Sequence, residues 1–562
     1  MKFSDMKYER PDLEKVKNDA QRIMKSFDSA ENVDSAEKAF LEWDRFSSHT
    51  ETMMSLAYTR HSIDTTDKFY DDEVEYIDEI SPVLSEMEQN FTKLIVNSRF
   101  RPELEKIYGK LMFKNGEIFL RAFSPEIIPE TQQTNKLETA YQKLLASAQI
   151  EFEGEKRTIS QMHPFKESAD DVIRRNAWIE EGKFYSDHEA ELNDIYDKMV
   201  GLRDKMAKKL GYNNFVSLGY LQMTRNCYTP EDIARFRSSV LKYIVPVADR
   251  LYREQAQRTG MEYPLTFADA ALTFRDGNPL PQGTAEDIIN TGREFYHELS
   301  PETAEFIDTM LENELMDVLS KKGKAGGGYC TEFADYKLPF IFSNFNGTAD
   351  DVEVITHEAG HAFAFYTARD IIPSANKSPT MESCEIHSMT MEFFGWKKSD
   401  EFFGKDSRKF RYSHLFGALT FIPYGTMVDH FQHIVYEKPE LTPEERHQVW
   451  RELLGQYMPW LKLDGSPFYG EGKGWQRQIH IYENPFYYID YCLAQTAALE
   501  FWVIMQNSYE QAWERYMKLV RKAGTQTFTE LLETAGLNSP FEENALRDVA
   551  AAAEKWLSEN KI

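Results

Sequence analysis

Within residues 352–368, VEVITHEAGHAFAFYTA, two histidines and a glutamate stand at the spacing His-Glu-x-x-His: His357, Glu358 and His361. At 3.6 residues per turn, positions i and i+4 are only about 40° apart around a helix axis, so both imidazoles project from one face. Two neutral imidazoles there can hold a Zn²⁺ ion. Glu358, about a quarter-turn away, can act on water in the open coordination position. The surroundings predict a helix over 350–368, capped at Thr348, with Asp351 and Glu353 in a first turn where the helix dipole favours anions. Val354, Ile355, Ala362, Phe363 and Ala364 make it a buried helix, in which two unpaired imidazoles would be costly. Gly360, between the histidines, lowers helix propensity by about 1 kcal/mol but lets another element approach closely.

A catalytic zinc with two histidines needs a third protein ligand. The stretch 378–396, SPTMESCEIHSMTMEFFGW, predicts a second helix with Ser378 as N-cap, Pro379 as first helical residue and Gly395 as stop, and it offers Glu382, Glu385 and Glu392. Glu385 and Glu392, seven residues apart, share nearly one face. One can bind the metal while the other orients a ligand imidazole. Farther on, four glycines within 464–474 predict a mobile loop delivering His480 and then Tyr482, Tyr487, Tyr488 and Tyr491, a set that suits either core packing or catalysis. His430 and His433 lack a third partner in the sequence and read as structural. AGGGY, with Gly326, Gly327, Gly328 and Tyr329, reads either as a connector or as an edge strand on which an extended substrate can pair main chain to main chain. CTEF and LPFIFSNF, which follow it, read as strands.

The elements that must position these groups are mostly helical. Residues 1–185 read as successive amphipathic helices, interrupted by one β-hairpin around Gly154, and residues 186–562 as the zinc-bearing part, the two packed as one body. With 65 basic against 92 acidic residues the net charge is −27, which argues against nucleic acid and anionic lipid as partners. No apolar run reaches the ~18 residues of a spanning helix. Four scattered cysteines, Cys227, Cys330, Cys384 and Cys492, suit a reducing, cytoplasmic setting. The oligomeric state is not legible.

HEAGHAF, Glu385 in ESCEIHSM, and His480 with Tyr488 and Tyr491 downstream resemble the M3 family of zinc oligopeptidases, in its oligoendopeptidase F and Pz-peptidase branch. The resemblance extends to KKLGYNNF at 208–215, the AGGGY loop, and GLNSPFE at 536–542. It implies a mainly α-helical, zincin-like ellipsoid with a small sheet beside the zinc helix, a deep channel, one zinc per chain and short peptides as substrates. It also implies His357, His361 and Glu385 as ligands, Glu358 as base, and His480 and Tyr491 facing the scissile carbonyl. Ile-His-Ser after Glu385 departs from relatives with a proline there, which leaves His387 without a role, and Tyr487 and Tyr488 are hard to tell apart. A zinc carboxypeptidase or dipeptidyl carboxypeptidase is the nearest alternative, although no cation for a substrate C-terminus is evident. A binding scaffold with a structural zinc would leave Glu358 without a task.

Overall fold

The computed structural model describes all 562 residues. With 72% of residues in helices and 4% in strands, the sheet is an insertion in a helical body, as the sequence predicts. In the N-terminal part, helices Leu13–Asp28, Val33–Ile63 and Lys68–Val96 close over a small core of their own. There the Trp43 and Phe91 rings stack at 4.1 Å. This core runs from Ala20 to Phe113, whereas Tyr141, Phe152 and Ala177 join the large core that continues to Leu557. The predicted hairpin is β1 (Ile150–Phe152) with β2 (Glu155–Arg157). Its turn residues, Glu153 at φ 50° and Gly154 at φ 78°, are both left-handed, the backbone that a two-residue hairpin turn demands.

The second sheet has the order β3-β5-β4, with β3 (Met316–Leu319) parallel and β4 (Tyr329–Phe333) antiparallel to the central β5 (Leu338–Phe345). The near-continuous apolar run of β5 suits a strand covered on both faces, and it packs against the following helix. Strand β4 therefore lies at the edge. The glycine loop leading into it is tied down: Ala325 N–H donates to the Ser62 carbonyl at 2.8 Å, and the Asn344 amide donates to the carbonyls of Ala325 and Gly327. Of its three glycines only Gly327, at φ 85°, occupies backbone that requires glycine.

The helix Asp350–Ala368 carries the His-Glu-x-x-His motif. Its start differs from the expected Thr348 cap. Asp351 accepts from the N–H groups of Asn346 and Gly347, both at 2.8 Å, while the Thr348 hydroxyl makes only a 3.3 Å contact with Asp350 N–H. The next helix spans Met381–Phe394 and is preceded by Thr380 rather than Ser378. The Ser378–Pro379 segment is held outside it, with the Ser378 carbonyl lying over Gly524. These two helices touch at Gly360, where a Cβ would stand 2.8 Å from both the His387 carbonyl and Ser388 Cα.

Candidate active site

His357 and His361 leave the first helix on its one half-buried face, and Glu385 reaches them from the second. Glu385 Oε2 is 3.5 Å from His357 Nε2 and 3.4 Å from His361 Nε2. The three ligand atoms lie within 4.8 Å of one another. Two imidazole nitrogens and a carboxylate oxygen form a donor set suited to zinc. Burial pushes the Glu385 carboxyl up, and the imidazoles of His361 and His357 overcome this and hold it well below the usual carboxylate range. Burial likewise works against a charged His357, but Glu385 and Glu392 raise it well above its ordinary value. Such an excess of anions is what a divalent cation would neutralise.

Hydrogen bonds fix which nitrogen of His357 is free. Glu392 Oε1 lies 2.5 Å from His357 Nδ1, and its other oxygen lies 2.9 Å from His414 Nε2. His414 Nδ1 accepts from the Trp396 indole N–H at 3.0 Å. An indole can only donate, so His414 must donate to Glu392, and Glu392 must accept from His357 Nδ1–H. The Nε2 lone pair of His357 is thereby turned toward Glu385 and His361. Burial would raise the Glu392 carboxyl, but the bonds from His357 and His414 bring it down to about 2. His414 lies on the long helix Ser407–Glu437, and nothing in the sequence marked it.

Glu385 is held in turn. Tyr487 Oη donates to Glu385 Oε1 at 2.6 Å, and Ser388 Oγ donates to Oε2 at 3.1 Å. Tyr487 and Tyr488, indistinguishable by spacing, thus separate by contact: Tyr488 packs between Phe421 and Tyr424 with its ring 4.8 Å from His480. Tyr491 Oη lies 3.4 Å from His480 Nε2. Burial raises the Tyr491 hydroxyl, with the Glu385 charge adding to it, and burial raises the Cys330 thiol on β4, with the Glu358 charge adding to it. Glu358 itself follows His357 on the same helix and is half-buried.

The protonation of His480 follows from its neighbours. The Gln478 side-chain oxygen Oε1 accepts from Tyr424 Oη at 2.8 Å, which leaves the side-chain Nε2 to donate to His480 Nδ1 at 2.9 Å. The ring proton is then on Nε2, facing Tyr491. Burial lowers the His480 pKa to about 4 against the pull of Glu385, so the ring is neutral at pH 7.

The tyrosine helix, Tyr488–Asn507, is docked by a residue that the sequence did not single out. Buried Arg225 lies 3.2 Å from Glu382 on the Glu385 helix and 2.5 Å from Asp490, and it donates to the Phe486 carbonyl at 2.8 Å. Phe486 is held at φ 67°, a conformation costing about 1–3 kcal/mol for a bulky residue. Gln432 accepts its N–H at 3.1 Å. Glu382 is thus occupied by Arg225 and lies outside the metal-ligand cluster. The glycine-rich loop 464–474 is not the mobile hinge that its composition suggests. Phe468, Tyr469 and Trp475 are buried, Tyr469 Oη donates to Glu181 at 2.5 Å, and a Cβ on Gly470 would overlap Ser466 and Asp464. His430 and His433 hydrogen-bond to Tyr457 and Tyr220 instead. His387 is buried with its Nε2 unpartnered, and burial depresses it to about 3, with the charge of His361 acting in the same direction.

Two models of peptidase family M3 match the chain, the N-terminal domain over residues 3–123 and the peptidase domain over 283–551. The solved structure of Pz peptidase A with an inhibitor is 46% identical over 99% of each chain, with a TM-score of 0.97. This chain belongs to peptidase family M3. A putative oligoendopeptidase F from Bacillus anthracis superposes on this M3 peptidase at a TM-score of 0.92, with 43% identity over all of this chain and 98% of that one. Oligopeptidase PepF of Bacillus subtilis is 26% identical over 43% of this chain, a match spanning only 36% of that protein's length. These relatives place the M3 peptidase in the oligoendopeptidase F and Pz-peptidase branch. The family implies a metal, and the His357–His361–Glu385 group suits one.

Proposed function

We propose that this M3 peptidase is a zinc-dependent endopeptidase that hydrolyses internal bonds of short peptides, with His357, His361 and Glu385 as zinc ligands and Glu358 as general base. The observation that carries the reading is the convergence of those three ligand atoms within 4.8 Å, with the second nitrogen of His357 committed to Glu392. When bound, the metal polarises the scissile carbonyl and makes water a stronger acid. Glu358 takes a proton from the attacking water at its carboxylate and gives it later to the departing nitrogen. Tyr491 Oη and His480 Nε2–H donate to the oxyanion of the tetrahedral intermediate, an effect worth about 3–4 kcal/mol per donor in comparable sites. Glu392 and Tyr487 hold His357 and Glu385 in place. The edge strand β4, entered through Gly326–Tyr329, holds the substrate extended by main-chain pairing.

The carboxypeptidase alternative needs a cation for the substrate's terminal carboxylate. Arg225, which joins the Glu385 helix to the tyrosine helix, is neutralised by Glu382 and Asp490 and is not free for that task. Four unpaired cysteines support a cytoplasmic location, and no helix is long and apolar enough to cross a membrane. The test is Glu358→Gln. It should retain close to one zinc per chain by metal analysis while kcat falls about 10²–10⁴-fold, because the ligands remain and proton transfer is lost. Loss of zinc together with activity, or unchanged turnover, would remove Glu358 from this role.

A further inference from the structure

On the side of the metal centre's hydrogen-bond chain remote from His357 lies a cavity of about 470 Å³, within the range of small-molecule sites. Its walls are aromatic: Trp396, Trp502, Trp556 and Tyr509 line it, and the Trp396 and Trp556 rings meet at 5.4 Å. Three cations, Lys397, Arg408 and Arg411, share the lining with the amides of Gln506 and Asn560. In a chain of net charge −27 these cations are almost without carboxylate partners. Arg411 has only Asp400, at 3.9 Å, and Arg408 reaches the Lys561 carbonyl at 3.5 Å. Lys397 Nζ rests 5.4 Å from the centre of the Tyr509 ring. The Trp502 side chain is 2% exposed, and its indole N–H has no acceptor.

We propose that this cavity is a second binding site, for a small amphipathic carboxylate: an aromatic body, an amide and one carboxylate, the chemistry of an acylated aromatic amino acid. The aromatic walls take the ring, since Trp and Tyr present large flat faces at little cost in conformational entropy. Gln506 and Asn560 match the amide, and the three cations match the carboxylate, with arginine suited to engaging it through two parallel hydrogen bonds. The cavity shares none of its lining with His357, His361 or Glu385. It adjoins them through Trp396, whose indole N–H donates to His414, and through Phe393, whose ring packs on the same imidazole at 4.8 Å.

The test is a calorimetric titration of the zinc-loaded enzyme with N-acetyl-L-phenylalanine, and with N-acetyl-L-phenylalaninamide as the uncharged control. The acid should bind one per chain with a Kd of about 1 mM or below, and the amide about tenfold more weakly. Arg408→Gln/Arg411→Gln should weaken the acid about tenfold while leaving kcat/KM for a peptide substrate within about twofold, because neither arginine touches the metal centre. The single variant Lys397→Gln, at an exposed position, gives the same comparison should the double variant fold poorly. No binding at roughly 10 mM, equal affinity for the amide, or full affinity in the folded variants would overturn the proposal; the last result would place the acid at the zinc centre instead.

Discussion

At the scale of single residues, Tyr491 and Tyr487 make opposite predictions. Tyr491 Oη bonds to no carboxylate and stands beside His480 Nε2, so its bond to substrate belongs to the transition state. Tyr491→Phe should lower kcat about 10²–10³-fold with little change in KM and none in zinc content, as for loss of one oxyanion donor. Tyr487 instead spends its hydroxyl on Glu385. Tyr487→Phe should weaken zinc binding about 10–100-fold, as seen when outer hydrogen bonds to a metal site are cut, which competition with a chelator would measure. Tyr491→Phe with wild-type turnover would leave His480 as the only side-chain donor. The same reasoning covers His414, which fixes Glu392 and through it His357. His414→Ala should reduce zinc affinity by a similar factor, and unchanged affinity would show that Glu392 alone suffices to orient the imidazole.

At the scale of elements, the site depends on how closely two helices approach. At Gly360 an added Cβ would lie 2.8 Å from backbone atoms of the Glu385 helix, which cannot move aside as a side chain would. The gain in helix propensity of Gly360→Ala, about 1 kcal/mol, is set against an overpacking cost of about 1–3 kcal/mol. The variant should therefore melt at a lower temperature and bind zinc less tightly, since His361 and Glu385 are forced apart. A stabilised variant with normal zinc would contradict the packing described. This device was legible in the sequence, because a glycine between two metal-ligand histidines has few other uses. The hairpin at Gly154, β4, β5 and the two site helices were legible as well, through periodicity and turn residues. The helix caps were less so: Thr380 replaces Ser378, and Asp351 serves the helix start by accepting from the turn before it. Caps are decided by competing local hydrogen bonds, which spacing alone does not rank.

At the scale of the whole molecule, what the sequence could not disclose was long-range. Arg225, Asp490 and His414 support the site from segments far apart in the chain, and no local pattern distinguishes a buried arginine that pairs two carboxylates from an exposed one. The glycines of 464–474 likewise serve close packing, not motion, a difference that only their neighbours reveal. Cores also divide differently from composition: the small N-terminal core ends at Phe113, well before residue 185. The chemistry was readable because metal ligation on a helix forces a short, fixed spacing, and the tertiary support was not because many arrangements satisfy it. The most direct test of the central claim is mass spectrometry of a peptide of roughly a dozen residues, blocked at both ends, incubated with zinc-loaded enzyme and with zinc-loaded Glu358→Gln. The account predicts internal cleavage by the first and cleavage slowed about 10²–10⁴-fold by the second, whereas an intact blocked peptide alongside trimming of its unblocked counterpart from one end would contradict it.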